Sequence, residues 1–215
     1  MTELTVFVVD DDAAVRDGLM LLMESAGLPV RTYDGGAAFL AALDPQDAGC
    51  IVLDLHMPGM DGTELQLELN RRGVRLPILF LSAHGDIPTT VQAMRAGALD
   101  FLTKPVDATE LLARVHDALD RARAERQAMA ARHGTQERLA LLSDRERDVL
   151  RLAVGGLTNK EIARRLGISH RTVEVHRSRI LLKTGCSTLL GLAQLAAEGG
   201  LAIDDAAAAG RGAGR

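Results

Sequence analysis

Apolar positions in the first 120 residues fall into short continuous runs, separated by segments where they recur at three- and four-residue spacing. The runs at 5–9 (Thr5-Val6-Phe7-Val8-Val9), 30–33, 51–54, 77–81 and 99–102 are brief, and several are β-branched and bounded by glycine or proline. That pattern predicts buried strands. Between the first two, Val15, Leu19, Leu22 and Met23 keep helical spacing over 13–26 until Gly27 and Pro29 close the segment. Further helices are predicted at 36–43, 63–72 and 87–96. The segment 63–72 is ambiguous, because Leu65, Leu67 and Leu69 alternate as in a strand. Its Gln, Glu, Leu and Arg are good helix formers and Gly73 is a natural stop, so a helix is expected. Asp107, with Glu110 three residues on, caps a fifth helix carrying Leu111, Leu112, Val115 and Leu119. Five strand–helix alternations predict an α/β domain, a doubly wound parallel sheet with helices on both faces.

The pattern then changes. Residues 121–132 are Arg, Ala, Glu and Gln with Met129 the one large apolar residue, which predicts a solvated helical linker, 121–138, broken at His133-Gly134-Thr135. Beyond it, Ser143-Asp144-Arg145-Glu146 and Thr158-Asn159-Lys160-Glu161 are capping boxes, and Ser169 caps a third helix. Glycines at 155–156, 167 and 185 end these helices. A short helix, a tight turn and a longer helix predict a helix-turn-helix, closed into a small all-α bundle over 139–200 by a fourth helix at about 188–198. In the third helix Val173, His176, Ile180 and Thr184 share an inward face. The opposite face carries Arg171, Glu174, Val175, Ser178 and Arg179. The Ala/Gly/Arg stretch 201–215 is expected to be a disordered tail.

Charge sharpens the division. Net charge is −4 overall, yet residues 1–120 hold 8 Lys/Arg against 19 Asp/Glu while 141–200 hold 10 against 6. An acidic half joined to a basic half assigns polyanion binding to the second. Its outward face suits the major groove, with Lys160, Arg164, Arg165, Arg177 and Lys183 placed to meet phosphates. Cys50 and Cys186 have no paired spacing, which excludes a disulfide framework or a zinc site and fits a reducing cytosol. No signal peptide or membrane span is read, so a cytoplasmic protein without membrane partners is expected.

The strand ends carry the candidate chemistry: Asp10 and Asp11, Asp54, Ser82 and Lys104. The carboxyl ends of parallel strands are where such sheets bind ligands. Several carboxylates on one rim call for a divalent cation, and oxygen-only donors favour Mg²⁺ over zinc. A lysine and a hydroxyl alongside supply a point charge and a hydrogen-bond donor for a phosphoryl group. His56 and His84, two residues beyond Asp54 and Ser82, are expected to border that group and affect how water reaches it.

Val9-Asp10-Asp11, Leu53-Asp54 with Met57-Pro58-Gly59-Met60-Asp61-Gly62, Ser82-Ala83 and Lys104-Pro105 make residues 1–120 resemble a response-regulator receiver domain, of flavodoxin-like or CheY-like (βα)5 fold. The resemblance implies that Asp54 is the phosphoacceptor for a sensor histidine kinase, and that Asp10, Asp11 and Asp54 hold Mg²⁺, with Asp12 a neighbour. It further implies that Lys104, aimed by a cis bond to Pro105, and Ser82 meet the phosphoryl oxygens, and that Phe101 is an aromatic switch. Leu142-Ser143-Asp144-Arg145-Glu146, Leu157-Thr158-Asn159-Lys160-Glu161-Ile162-Ala163 and Arg171-Thr172-Val173-Glu174-Val175-His176 resemble the LuxR-type (NarL/FixJ-like) DNA-binding domain. Gly85-Asp86-Ile87-Pro88 and Asp100-Phe101-Leu102 look closest to the FixJ-like subgroup, and Leu182 departs from a commonly polar position. Together these imply a two-component transcription factor that dimerises on phosphorylation through 87–96 and 99–102, binds promoter DNA and meets RNA polymerase. Two rival readings share the same residues: a Mg²⁺-dependent phosphohydrolase with Asp54 as nucleophile, and a DNA-binding regulator with a passive receiver. No substrate pocket or second catalytic acid is recognisable for the first, so the chain is read as a phosphoacceptor with at most slow self-dephosphorylation.

Overall fold

Five strands, β1 (Thr5–Val9), β2 (Val30–Tyr33), β3 (Gly49–Asp54), β4 (Ile78–Ser82) and β5 (Asp100–Thr103), pair in parallel in the order β2-β1-β3-β4-β5. This is seen in a computed structural model that describes residues 4–83 and 87–201. His84, Gly85, Asp86 and the expected tail beyond Leu201 lie outside the described residues. Every residue of β1, β3 and β4 is buried, whereas the edge strand β2 is half-exposed. Strands covered on both faces read as continuous apolar runs, which is why they stood out in the sequence.

The alternation of side chains splits the core in two. Val6, Val8, Val52, Leu79 and Leu81 pack against Leu19 and Met23 of α1 (Ala13–Ser25) and Leu111 and Val115 of α5 (Ala108–Ala140). Phe7, Val9, Ile51, Leu53 and Phe80 point the other way. There they meet Phe39 of α2 (Gly36–Ala42), Leu65 and Leu69 of α3 (Gly62–Arg71), and Ala93 of α4 (Ile87–Arg95). The ambiguous segment is thus a helix, begun by an Asp61–Glu64 capping box. Cys50 is fully buried in the first core, and desolvation pushes its thiol up to about 12. A thiolate is the reactive form. Iodoacetamide is therefore expected to label Cys50 only after denaturant is added, as peptide mapping would show.

The chain forms two compact units, Met1–Arg126 and Gln127–Arg215. The expected break at His133-Gly134-Thr135 is corrected: α5 runs without interruption to Ala140. Glycine inside a helix costs only about 1 kcal/mol. The residues after it have something to hold, because Thr135 and Leu139 are buried and a methyl on Gly199 would touch both. Residues 123–133 are exposed on all sides.

The second unit contains α6 (Asp144–Val154), α7 (Asn159–Leu166), α8 (His170–Thr184) and α9 (Leu189–Glu198). Ser143 and Thr158 form the expected capping boxes, and Ser169 caps α8 through the Thr172 amide. Val149, Leu150, Ile162, Val173, Ile180, Leu192 and Leu195 share its core with Leu139 and Leu142. Among the described residues no single helix is long and apolar enough to cross a membrane.

Candidate functional site

The sheet order places the reversal of winding between β1 and β3, and ligands in such sheets bind outside the strand ends at that point. Asp10 follows β1 and Asp54 ends β3; both side chains are over nine-tenths buried. The Lys104 ammonium lies between them, 2.6 Å from Asp10 Oδ2 and 2.5 Å from Asp54 Oδ1. Their remaining oxygens accept from backbone: Asp10 Oδ1 from the Asp12 amide at 2.9 Å, and Asp54 Oδ2 from the His56 amide at 2.8 Å. Each carboxylate is held from two sides, so its direction is set before any ligand arrives. Burial disfavours the charged form of Lys104, but the hydrogen bonds to Asp10 and Asp54 outweigh it and raise its pKa.

Lys104 reaches this position because its backbone amide donates to the Ser82 carbonyl at 2.8 Å, joining the ends of β4 and β5. Its bond to Pro105 is cis, as expected. Ser82 is fully buried at the end of β4. Phe101 is half-buried, with its ring stacked on Phe80 at 6.1 Å between centroids. His56 is exposed.

Asp11 is exposed beside the pocket, and Asp12 is occupied in capping α1 through the Ala14 and Val15 amides. Among the described residues no three acidic, histidine or cysteine side chains stand close enough to share one ion. Asp10 and Asp54 come together across Lys104, while Asp11 remains outside. The donor set still fits a hard divalent cation. It is all oxygen, and two buried carboxylates against one ammonium leave one uncompensated negative charge.

Gly62 was read in the sequence only as the last residue of the motif that follows Asp54. A Cβ there would lie 2.4 Å from the Asp54 carbonyl oxygen and 2.9 Å from Phe80 Cε1, so its missing side chain is what lets α3 start directly under the end of β3. Arg16 was also missed; its guanidinium donates to the Asp10 carbonyl at 2.8 Å. Neither role has a signal in a single sequence, because each depends on what folds alongside.

In the second unit, α7 ends in left-handed Gly167 at φ 67°, and α8 follows after two residues. The Arg145 guanidinium donates to the Leu166 carbonyl at the end of α7. Val173, Ile180 and Thr184 are buried and His176 is half-buried, as the inward face requires. Arg171, Glu174, Val175, Ser178 and Arg179 are exposed on α8, with Lys160, Arg164 and Arg165 exposed on α7. Leu182 is 83% exposed. The remaining two expected phosphate contacts are engaged within the protein: Arg177 donates to Asn159 Oδ1 at 2.8 Å, and Lys183 to Glu146 Oε2 at 2.7 Å.

Glu146 is buried, which alone would raise its pKa, but the Lys183 ammonium and the Ser143 amide hold it below the ordinary 4.5. A carboxylate lowered in the fold contributes stability that is fully present above its unfolded value and lost as pH falls through the folded one. A carbon-13 titration of the side-chain carboxyls should place Glu146 under 4.5, and Lys183→Met should move it upward.

Residues 6–116 match the family described as response regulator receiver domain, and residues 140–196 the one described as bacterial regulatory proteins, luxR family. The transcriptional regulatory protein FixJ of Azorhizobium caulinodans is 47% identical over 94% of this chain and 97% of its own. The C4-dicarboxylate transport transcriptional regulatory protein DctR of Rhodobacter capsulatus is 41% identical, covering 89% of this chain and 98% of that one. Among solved structures, response regulator StyR is similar at 44% identity with a TM-score of 0.87, over 92% of this chain and 100% of that one. Full-length FixJ from B. japonicum is similar at 40% identity with a TM-score of 0.58, over 94% and 100%.

Proposed function

Because the chain belongs to the response regulators that join a receiver domain to a LuxR-type DNA-binding domain, we propose that it is a transcription factor switched by phosphorylation of Asp54. A sensor histidine kinase supplies the phosphoryl group: the phosphorus–nitrogen bond of its phosphohistidine breaks as an Asp54 oxygen bonds to phosphorus. Asp10, Asp11 and Asp54 are the residues that would hold Mg²⁺, and when bound it would neutralise charge on the phosphoryl oxygens. Lys104 is already beside Asp54 and follows the new oxygens as a point charge. The Ser82 hydroxyl donates to them, and Phe101 turns inward as Ser82 moves. Turnover ends there apart from slow self-dephosphorylation.

Residues 1–120 are assigned as the phosphoacceptor domain, 121–138 as the linker and 139–200 as the DNA-binding domain. In the active state two copies pair through α4 and β5. Ile87, Val91 and Met94 of α4, exposed and at helical spacing, suit that role. Two α8 helices then enter successive major grooves. Arg171, Glu174, Val175, Ser178 and Arg179 face base edges, while Lys160, Arg164 and Arg165 meet phosphates. The protein acts on promoter DNA and RNA polymerase in the cytoplasm.

The observation that carries this reading is the Lys104 ammonium between two buried strand-end carboxylates, Asp10 and Asp54. The test is a footprinting titration with and without acetyl phosphate. Protection is expected at lower protein concentration with the donor; identical curves would overturn the reading.

A further inference from the structure

Helix α8 holds six basic or polar side chains that a sequence reading sends to DNA, yet its geometry divides them. At about 100° per residue, Arg171, Val175, Ser178 and Leu182 fall on one stripe about 60° wide. Arg177 and Lys183 lie more than about 100° from the middle of that stripe, on opposite sides of the helix. Each ends on a partner in another helix. Arg177, half-buried, meets Asn159 in the first turn of α7. Lys183, in the last turn of α8, meets Glu146 in the first turn of α6. The Glu146 side chain is only 3% exposed, and its Oε2 also accepts from the Ser143 amide at 2.9 Å.

We propose that Arg177 and Lys183 are positioning residues that pin the recognition helix α8 to α7 and α6 at two points, and that neither contacts a DNA phosphate. This rests on the DNA-binding role assigned to α8. It redistributes the work among the basic residues: some neutralise the backbone, whereas these two set the angle at which the outward stripe is presented. The physical reason is that a helix held by its apolar face alone can roll and slide within a packed groove. One directional bond near its middle and another at its end remove both freedoms. A charge-assisted bond is roughly twice as strong as a neutral one and more demanding of geometry. Lys183 is also held where release is costly, because leaving it would deprive the buried Glu146 carboxylate of its cation.

Salt dependence separates the two roles. Each phosphate neutralised by a protein cation contributes about 0.9 to the slope of log affinity against log salt. A duplex selected from a randomised pool by the full chain with acetyl phosphate serves as probe, titrated by fluorescence anisotropy across a range of KCl. Arg177→Ala and Lys183→Met should each weaken binding about tenfold at every salt concentration and leave the slope unchanged. Lys160→Ala and Arg164→Ala should flatten the slope by about 0.9. Arg177→Lys combined with Asn159→Asp should restore most of the affinity. A slope flattened by about 0.9 in Arg177→Ala or Lys183→Met would overturn the proposal.

A second measurement needs no DNA. In hydrogen exchange of α8 amides in the full chain, Lys183→Met and Glu146→Gln should each lower protection about tenfold, and the double variant by much less than the product. Multiplicative losses would overturn the tether. A wild-type chain that retains no duplex from the pool would instead overturn the DNA-binding role, and the exchange cycle would still decide the tether.

Discussion

Asp54→Asn is expected to retain basal DNA binding and lose all of the gain that acetyl phosphate gives the wild type, a gain of about 10- to 100-fold for coupling of ordinary size. The structure says why the substitution is clean. Asn keeps the shape, and its carbonyl oxygen can still accept from Lys104 or from the His56 amide, the two donors that hold Asp54. It also removes one of two buried carboxylates that share a single ammonium, so the pocket becomes neutral and the fold is not weakened. What disappears is the carboxylate oxygen proposed to attack phosphorus. Anisotropy titrations of the variant with and without donor should superimpose; a donor-dependent shift surviving in Asp54→Asn would place the switch elsewhere.

The largest loss of stability is expected at Gly49. It opens β3 at φ 148°, paired with Thr5 of β1 in the middle of the sheet. A Cβ there would stand 1.7 Å from the Thr5 carbonyl oxygen and 2.7 Å from its carbon and nitrogen. Backbone cannot rotate away as a flexible side chain would, so Gly49→Ala must separate the two central strands or twist their ends. Overpacking of this kind costs about 3 kcal/mol or more, a large share of the about 5–15 kcal/mol that holds a domain together. Urea denaturation followed by circular dichroism should show a midpoint far below wild type. A midpoint within error of wild type would mean that β1 and β3 do not approach as described. By contrast Gly18, with open space around it, should accept alanine without loss.

The two glycines also show what a sequence does and does not disclose. Residues 51–54 announced a buried strand because both faces of β3 are covered, so apolar residues could run without alternation. The capping boxes at Ser143 and Thr158 were legible for a similar reason: each is a local contract between residues three apart. Gly49 and Gly62 look like any other glycines until the strand or side chain that crowds them is placed. The continuity of α5 through Gly134 was hidden likewise. Burial of Thr135 and Leu139, which outweighs the glycine, depends on residues near the end of α9.

Charged side chains were the least legible. Lys104 could be placed because it ends a strand. Arg177 and Lys183 sit among other basic residues on an amphipathic helix, and nothing local distinguishes a tether from a phosphate contact. Their partners Asn159 and Glu146 are 18 and 37 residues away. Asp11 illustrates the converse: motif order puts it with Asp10 and Asp54, while the folded chain leaves it at the rim with Lys104 between the other two.

The most direct test of the whole account joins its two ends in one sample. The full chain is treated with acetyl phosphate and Mg²⁺ to partial modification and passed over its selected operator DNA. Bound and free fractions are reduced with borohydride, which converts an aspartyl phosphate to homoserine, and their peptides are mapped by mass. Homoserine should appear at position 54 alone and be strongly enriched in the bound fraction; conversion at another aspartate, or equal conversion in both fractions, would contradict it.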